Sequence, residues 1–479
     1  MWFRWIDPHT RRSVALSAVV LSLTGLVLAD RSVRPRGDVA IASGPVAFDG
    51  LSPTSSPFVA RGATGRLAVS HGRLLAAGTR PMHLEIRVRA DQGSDVVEAR
   101  APVAMVLVVD TSGSMAGRKI EDARQAALAL LDEMQADDMV SVVRFATQAE
   151  VLVPLGRVGD VRSEARRRIE QLRADGNTDI ANALRAADRV LGWTRDGRVG
   201  RIVVVTDGRD TSGAPRSTGS DVARTEAGRG FTVSALGIGA DYDDAYLAGI
   251  SDAGRGNYEF LRDSSALSRF LSKELREAAR TRVRNVEARL ALPQDARIRG
   301  VWGATWEANR LSLGSLFAGD ERRVIVAVDV PVSAPGTSIE LGASLSWRLV
   351  DGSPIEIALS PVHVVAVSSP EEVDDARDMS VIASATSVVA SQRETEAASA
   401  FERGDRARAL ELNAQSQAEL DAVKKSAPAA VAAQLDAQER AYKGHQGTFA
   451  RPAPAGAAAP AARDIGAQER KNADRAVAY

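Results

Sequence analysis

The chain has 479 residues, its 61 Lys and Arg are balanced by 61 Asp and Glu, and it contains no cysteine. This length allows two to four domains, and the lack of cysteine excludes disulfides, thiolate metal sites and thiol nucleophiles. A net charge of zero gives no reason to expect nucleic acid as a partner. The five histidines lie singly, without the spacing of a zinc site, so we expect any metal ion to be held by oxygen.

An uncharged apolar run, residues 13–29, follows two arginines near the N-terminus. As a helix it would be about 26 Å long, slightly less than the hydrocarbon core of a bilayer. A basic start before such a run is typical of a signal peptide or an uncleaved signal anchor, and a buried core helix is the alternative. We predict a signal peptide or signal anchor over residues 1–30. The protein is then extracytoplasmic: periplasmic, inner-membrane-anchored or secreted.

A linker and a first β segment are predicted next. Residues 31–62 are rich in Pro, Gly and Ser, which is typical of a linker. Within residues 63–102, Leu84, Ile86 and Val88 alternate with charged residues, which predicts a strand with one face in water.

The pattern then changes to alternating strands and helices over residues 103–281. Strands are predicted at 103–109, 140–146, 151–155, 201–206, 232–238 and 257–261. Helices are predicted at 117–135, 160–173, 179–193, 220–229, 243–253 and 264–280. This alternation favours an α/β fold with a doubly wound, mostly parallel sheet, in which the second and third strands form an antiparallel edge.

Apolar alternation with a period of two resumes over residues 282–370 and predicts an antiparallel β-sandwich or meander. One sandwich interrupted by the α/β block would explain the β character on both sides of that block; two separate β units are the alternative. Residues 371–445 are predicted to be helical, with a hairpin turn of tetratricopeptide type near residues 400–405. The Ala-, Pro- and Gly-rich tail, 446–479, is predicted to be disordered.

Three stretches of the α/β block carry oxygen ligands at the ends of strands or helices. The apolar strand 103–109 ends in Asp110, and hydroxyls follow at Ser112 and Ser114. Thr178 stands at the start of a helix, and Asp207 follows another buried strand. Because ligands bind at the carboxyl edge of open α/β sheets, we expect these five side chains to converge there.

These stretches resemble, in residue type and chain order, the metal-ion-dependent adhesion site of von Willebrand factor type A domains. The resemblance covers residues 103–281 and extends, less specifically, to bacterial secreted or membrane-tethered members with similar flanking segments. It implies that Ser112, Ser114 and Thr178 coordinate a divalent cation directly or through water. It also implies that Asp110 and Asp207 anchor the cation partly through water.

The chemistry of the five residues agrees with this resemblance. Hydroxyls and carboxylates are hard ligands that suit Mg²⁺, Mn²⁺ or Ca²⁺. Two carboxylates just balance a divalent ion, which can then accept one more carboxylate from outside. We therefore expect a protein-interaction module rather than an enzyme, whose protein partner supplies an Asp or Glu to the metal. Contact with the membrane is expected through the N-terminal segment if that segment is uncleaved, and no nucleic acid is expected.

Each of these residues also has a plain structural interpretation. Asp110 and Thr178 could cap helices, Ser112 and Ser114 could satisfy turn backbone, and Asp207 could be a turn residue. The nearby Asp179 and Asp210 are interpreted as supporting or solvated residues rather than ligands.

Three other functions are weighed against the leading one. A Mg²⁺-dependent phosphotransferase would use Asp110 as nucleophile, but the second carboxylate it needs two residues later is replaced by Ser112. A scaffold with a purely structural metal is the second alternative. The third is a subunit serving an ATPase, against which the exported N-terminus argues.

Overall fold

The computed structural model describes residues 54–475 except 93–99, 101, 192–197, 216, 240–242, 262–263, 308 and 452–457. The predicted signal segment, residues 1–30, and most of the predicted linker therefore lie outside the described residues. Of the helices in the described part of the chain, none is long and apolar enough to cross a membrane.

In the described residues, four strands precede the central block: β1 (Ser55–Ala60), β2 (Ala63–Val69), β3 (Arg73–Leu75) and β4 (Gly78–Ala90). The predicted C-terminal boundary of the linker, residue 62, is wrong, because β1 begins within the linker, pairs with β2 and buries Phe58 in a hydrophobic core. In β4, Leu84, Ile86 and Val88 are buried as the alternation predicts, but Glu85 is buried too. The face of β4 expected to lie in water is therefore partly covered.

The central block is a six-stranded sheet with helices on both faces. Its strands are β5 (Val103–Asp110), β6 (Met139–Phe145), β7 (Ala149–Arg157), β8 (Val199–Thr206), β9 (Thr232–Ile238) and β10 (Arg255–Leu261). Its helices are α1 (Arg118–Glu133), α2 (Val158–Glu170), α3 (Ile180–Leu191), α4 (Ser217–Arg229), α5 (Asp244–Gly254) and α6 (Leu267–Ala279).

The strand order of this sheet is β10-β9-β8-β5-β6-β7. All neighbouring pairs are parallel except β6 and β7, which form the antiparallel edge predicted from the sequence. Helices α1, α2 and α6 pack on one face, and α3, α4 and α5 pack on the other. The predicted doubly wound, mostly parallel sheet is confirmed, and β5 lies in its centre, buried on both faces.

Eight strands follow the block: β11 (Thr281–Ala291), β12 (Arg297–Trp302), β13 (Thr305–Glu307), β14 (Arg310–Phe317), β15 (Glu321–Val332), β16 (Ser338–Leu349), β17 (Pro354–Ala358) and β18 (Val362–Val367). They join the first four strands in two sheets, ordered β1-β2-β4-β15-β12 and β13-β14-β11-β16-β18-β3, with β17 beside β16. One hydrophobic core fills the space between the sheets. Strands from both sides of the α/β block thus build a single sandwich, the first of the two interpretations above.

The chain ends in helices α7 (Pro370–Asp375), α8 (Met379–Glu402), α9 (Arg406–Ser426), α10 (Ala429–Ala450) and α11 (Ala458–Arg475). The described residues of the tail that was expected to be disordered, 446–451 and 458–475, are instead largely helical. Its Ile465 packs with Ala397 and Phe401 of α8 in one core. The expectation fails because small apolar side chains bury enough surface when the neighbouring helix also carries small residues and can approach closely.

Candidate metal centre

The first loop of the site follows β5. Apolar residues keep this strand in the centre of the sheet, so Asp110 at its end is fully buried. Asp110 Oδ1 accepts a hydrogen bond from the Ser112 backbone N at 2.7 Å, and Oδ2 accepts one from the Thr206 hydroxyl at the end of β8. A single 3₁₀ turn, Gly113–Met115, then brings the hydroxyls of Ser112 and Ser114 to 3.1 Å from each other.

Asp207 joins this loop to the end of β8. The Ser114 hydroxyl donates to Asp207 Oδ1 at 2.7 Å. The Lys119 ammonium, in the first turn of α1, donates to Asp207 Oδ2. Asp207 is fully buried and Lys119 half-buried, so this carboxylate faces a hydroxyl on one side and a positive charge on the other.

Thr178 lies in the loop between α2 and α3, which backbone hydrogen bonds tie to the first loop. Asp175 N donates to Thr111 O at 2.6 Å, and Gly113 N donates to Gly176 O at 3.0 Å. Gly176 has a φ of +81°, and a Cβ there would lie 2.8 Å from the Thr147 hydroxyl oxygen. Glycine is therefore required where the two loops meet.

Gly208, in the loop after β8, lies beside oxygens from the other two loops. A Cβ built on Gly208 would lie 3.2 Å from Thr178 Oγ1, 3.5 Å from Ser114 Oγ and 3.9 Å from Asp110 Oδ2. The glycine hydrogen leaves this space open. Three hard oxygens around one open point, one of them from the buried Asp110, with the buried Asp207 carboxylate beside them, fit a divalent cation such as Mg²⁺.

The electrostatics of the loops also fit a cation. Burial raises the pKa of Asp110 above its ordinary value, and the nearby Asp207 acts in the same direction, while hydrogen bonds from Thr206 and Ser112 lower it. Added positive charge would relieve the cost of burying these carboxylates together. The ammonium of Lys119 shows that a cation is accommodated against Asp207.

The family model of the von Willebrand factor type A domain matches residues 105–209, the segment that contains all three loops. This chain contains a von Willebrand factor type A domain. Domains of this family typically mediate protein–protein interaction and adhesion, and they often bind a divalent metal.

Solved structures show the same fold. A von Willebrand factor type A protein from Catenulispora acidiphila matches with a TM-score of 0.61 and 21% identity, over 81% of this chain and 94% of that one. The ArnB paralog VWA2 from Sulfolobus acidocaldarius matches with a TM-score of 0.57 and 15% identity, over 81% of this chain and 98% of its own. At these identities the likeness concerns the fold.

Two curated relatives match in sequence over the domain. The uncharacterized protein YfbK of Escherichia coli is 30% identical over 39% of this chain and 33% of its own length. The human inter-alpha-trypsin inhibitor heavy chain H4 is 33% identical over 30% of this chain and 17% of its own length. The chain thus spans less than half the length of these relatives.

Asp179 and Asp210 of the von Willebrand factor type A domain support the loops around Thr178. Asp179 Oδ1 accepts from Asn182 N at 2.9 Å, so Asp179, rather than Thr178, caps α3. Asp210 accepts from Ile180 N at 3.1 Å and from Ser212 N at 2.8 Å. Thr178 itself is held by Thr211, whose N donates to Thr178 O at 2.8 Å and whose hydroxyl accepts from Thr178 N at 3.1 Å.

Two further residues of the site, Lys119 and Thr206, were not among the residues predicted from the sequence. Lys119 carries a usable signal, since it stands at the start of a helix that follows the Asp110 loop. Thr206 lies inside an apolar strand pattern and carries no signal of its own. Among the described residues there is no cluster of three or more His, Cys, Asp or Glu arranged for a metal. The candidate centre differs from such clusters because three of its five side chains are hydroxyls.

Proposed function

We propose that this protein is a metal-dependent protein-interaction protein of adhesion or envelope-assembly type. Asp110, Ser112, Ser114, Thr178 and Asp207 hold a divalent cation, Mg²⁺ or else Mn²⁺ or Ca²⁺, and an Asp or Glu of the partner protein completes its coordination. The observation that carries this proposal is the convergence of Asp110, Ser114 and Thr178 oxygens on the space left open by Gly208.

The hydroxyl and carboxylate residues of the site have different roles. The three hydroxyls offer neutral oxygens, while hydrogen bonds from Ser112 N and Ser114 Oγ fix the orientations of Asp110 and Asp207. The bound cation supplies the positive charge that an acidic partner residue recognises. The two carboxylates balance the formal charge of a divalent ion, and because the other protein ligands are neutral hydroxyls the ion can still accept one more carboxylate from outside.

Exposure indicates the side from which a partner approaches. Asp110 and Asp207 are fully buried and Ser112 and Thr178 nearly so, whereas Ser114 is exposed. A partner carboxylate therefore reaches the centre over Ser114 and the 3₁₀ turn. Lys119, beside this opening, neutralises Asp207 in the metal-free protein and moves away from Oδ2 when a cation takes its place.

The extracytoplasmic location belongs to the same proposal. It rests on the basic and apolar pattern of residues 1–30, whether the segment is cleaved or remains as a membrane anchor. A location outside the cytoplasm suits adhesion to a partner protein and does not suit service to an ATPase.

The first experiment is a metal titration of the full chain by calorimetry and thermal shift, using Mg²⁺, Mn²⁺ and Ca²⁺ against EDTA. We expect saturable binding in the wild type and none in the Ser112→Ala/Ser114→Ala variant. The matched control is Ser212→Ala, which removes a hydroxyl from the neighbouring loop. Metal binding that survives in the double variant would exclude the proposed ligand set.

The second experiment tests recognition of the acidic residue. A glutamate-containing peptide is compared with its glutamine counterpart, each with and without metal, because weak cation binding strengthens when an external carboxylate joins. We expect binding only with metal and glutamate together. Metal binding with no effect of glutamate would make the ion purely structural, and failure of metal and peptide together would refute the adhesion mechanism.

A further inference from the structure

A cavity of about 860 Å³ lies where the von Willebrand factor type A domain, the sandwich and the C-terminal helices meet. The cavity is lined by the end of α5 and the start of β10, by strands β12 to β15, and by helices α8, α9 and α11. The volume is within the range of small-molecule sites, which is roughly 300–1,000 Å³. This cavity is remote from the residues of the candidate metal centre, none of which lines it.

The lining of this cavity is strongly basic. Its two carboxylates are Asp252 and Glu396. The lining also contains six arginines, which come from all three regions: Arg255, Arg322, Arg393, Arg403, Arg408 and Arg470. The arginines of the lining outnumber its two carboxylates, and Asp320, Glu411 and Glu419, outside the lining, pair with Arg322, Arg408 and Arg393. Guanidinium groups around one cavity repel each other, and an anion between them would relieve this repulsion.

Several of the arginines are held in position by neighbours. Arg393 Nη2 contacts Glu419 at 2.9 Å, Arg408 Nη1 contacts Glu411 at 3.0 Å, and the Arg470 guanidinium lies 5.5 Å from the centre of the Tyr258 ring. The Arg393 side chain is 18% exposed, and its Nη1 is buried without a hydrogen-bond acceptor in the part of the chain that the structure describes. A buried guanidinium donor without an acceptor costs stability.

We propose that this cavity binds a small multivalent oxyanion, a polyphosphate or polycarboxylate compound, which joins the three regions. Guanidinium groups bind carboxylate and phosphate oxygens through paired, charge-assisted hydrogen bonds, and several of them favour a ligand with several charges. Elsewhere in this chain, three arginines of the sandwich surround a buried glutamate, Glu85. In the cavity the corresponding place is open, and the ligand supplies the charge.

The test is calorimetric titration of the full chain with tripolyphosphate and, separately, with citrate, at matched ionic strength and in EDTA. The two anions distinguish a phosphorylated ligand from a polycarboxylate. We expect saturable binding of at least one of them and a rise in unfolding temperature with it. The Arg393→Gln/Arg403→Gln variant should weaken that binding by about tenfold or more.

Two controls separate this site from general charge effects and from the metal centre. Arg224→Gln removes an exposed arginine with an i,i+3 carboxylate partner, as Arg408→Gln does within the cavity lining. Arg408→Gln should weaken binding and Arg224→Gln should not. Arg408 is 44% exposed, so we expect Arg408→Gln to fold. The binding test can therefore be made with this variant even if the double variant fails to fold. The Ser112→Ala/Ser114→Ala variant should bind the anion as the wild type does, which keeps this proposal independent of the proposed function.

Two outcomes would overturn the proposal. One is the absence of saturable binding of either anion by the wild type up to millimolar concentration. The other is equal binding by Arg408→Gln and Arg224→Gln, since the anion would then respond to overall charge rather than to the cavity.

Discussion

The sandwich and the von Willebrand factor type A domain both bury carboxylates, but they compensate the charge in opposite ways. Glu85 of the sandwich lies 2.8 Å from Arg66, 3.1 Å from Arg87 and 3.5 Å from Arg323. Burial alone would raise the pKa of Glu85, yet the three arginines hold it below its ordinary value. The positive charge at this place is built into the chain.

Asp110 and Asp207 of the von Willebrand factor type A domain are surrounded mainly by hydroxyls and one lysine. Burial raises the pKa of Asp110, and its hydrogen bonds do not reverse this effect. A carboxylate enclosed by fixed arginines is a permanent part of the fold. A pair of buried carboxylates with only one lysine beside it can instead bind an exchangeable cation. The contrast separates a structural charge cluster from a binding site in one chain.

The largest effect is expected in the sandwich. Glu85→Gln leaves three arginines together without their shared carboxylate, and we expect a loss of about 3–5 kcal/mol in the free energy of unfolding, measured with urea. The control is Glu321→Gln, because Glu321 lies 3.6 Å from Arg87 and 3.7 Å from Arg323 but is 36% exposed. We expect it to cost less than about 1 kcal/mol. Equal losses would show that burial of Glu85 does not decide the effect.

Asp110→Asn should behave differently from Glu85→Gln. In EDTA we expect its free energy of unfolding to change by less than about 1 kcal/mol, because relief of a buried charge offsets a lost hydrogen bond. With metal at about a hundred times its Kd, the wild type should gain about 2.7 kcal/mol and the variant nothing. A large loss in EDTA would place Asp110 in the same structural class as Glu85.

The local pattern predicts the strand ends of the central block, and with them the five oxygen-bearing residues of the candidate site. Apolar runs such as 103–109 fix where a buried strand stops, and the residue after the stop faces the sheet edge. The antiparallel edge and the helices follow from the same periodicity. Which residues actually hold a metal stays a prediction.

Contacts between distant segments could not be predicted in this way. Glu85 stands in a position that the alternation assigns to water, but α8 packs over this face, and its Ser384 accepts a hydrogen bond from Arg323 at 2.9 Å. Lys119 reaches Asp207 only because α1 begins beside the end of β8. The position of α11 depends on the small side chains of α8, which the composition of the tail alone does not reveal.

Lys119→Met tests whether the lysine and a metal ion compete for Asp207. Removal of the ammonium from Asp207 should lower the free energy of unfolding in EDTA by about 1 kcal/mol. It should also raise metal affinity about fivefold, because the incoming cation no longer displaces a positive charge. The matched control is Lys273→Met, whose partner Glu259 is 39% exposed. Weaker metal binding in Lys119→Met would mean that the lysine helps to form the site rather than competing for it.

Glu226 in α4 offers a pH-dependent test of the comparison. This buried carboxylate accepts a hydrogen bond from Arg229 at 2.6 Å, yet burial and the nearby Asp188 raise its pKa from 4.5 to about 8. The folded protein therefore binds this proton more tightly than the unfolded chain, and stability should fall as pH rises from 4.5 to about 8.

Glu226→Gln should remove that part of the slope and leave the variant more stable than the wild type at pH 8, as measured by urea unfolding at several pH values. Glu170→Gln, at the exposed end of α2, serves as control and should leave the slope unchanged. Glu226 has one arginine partner, whereas Glu85 has three. If the free energy of unfolding of Glu226→Gln changes with pH as that of the wild type does, a single half-exposed arginine fully compensates a buried carboxylate. The shortage of fixed charge at Asp110 and Asp207, which also face one half-buried cation, would then no longer indicate a site for an external ion.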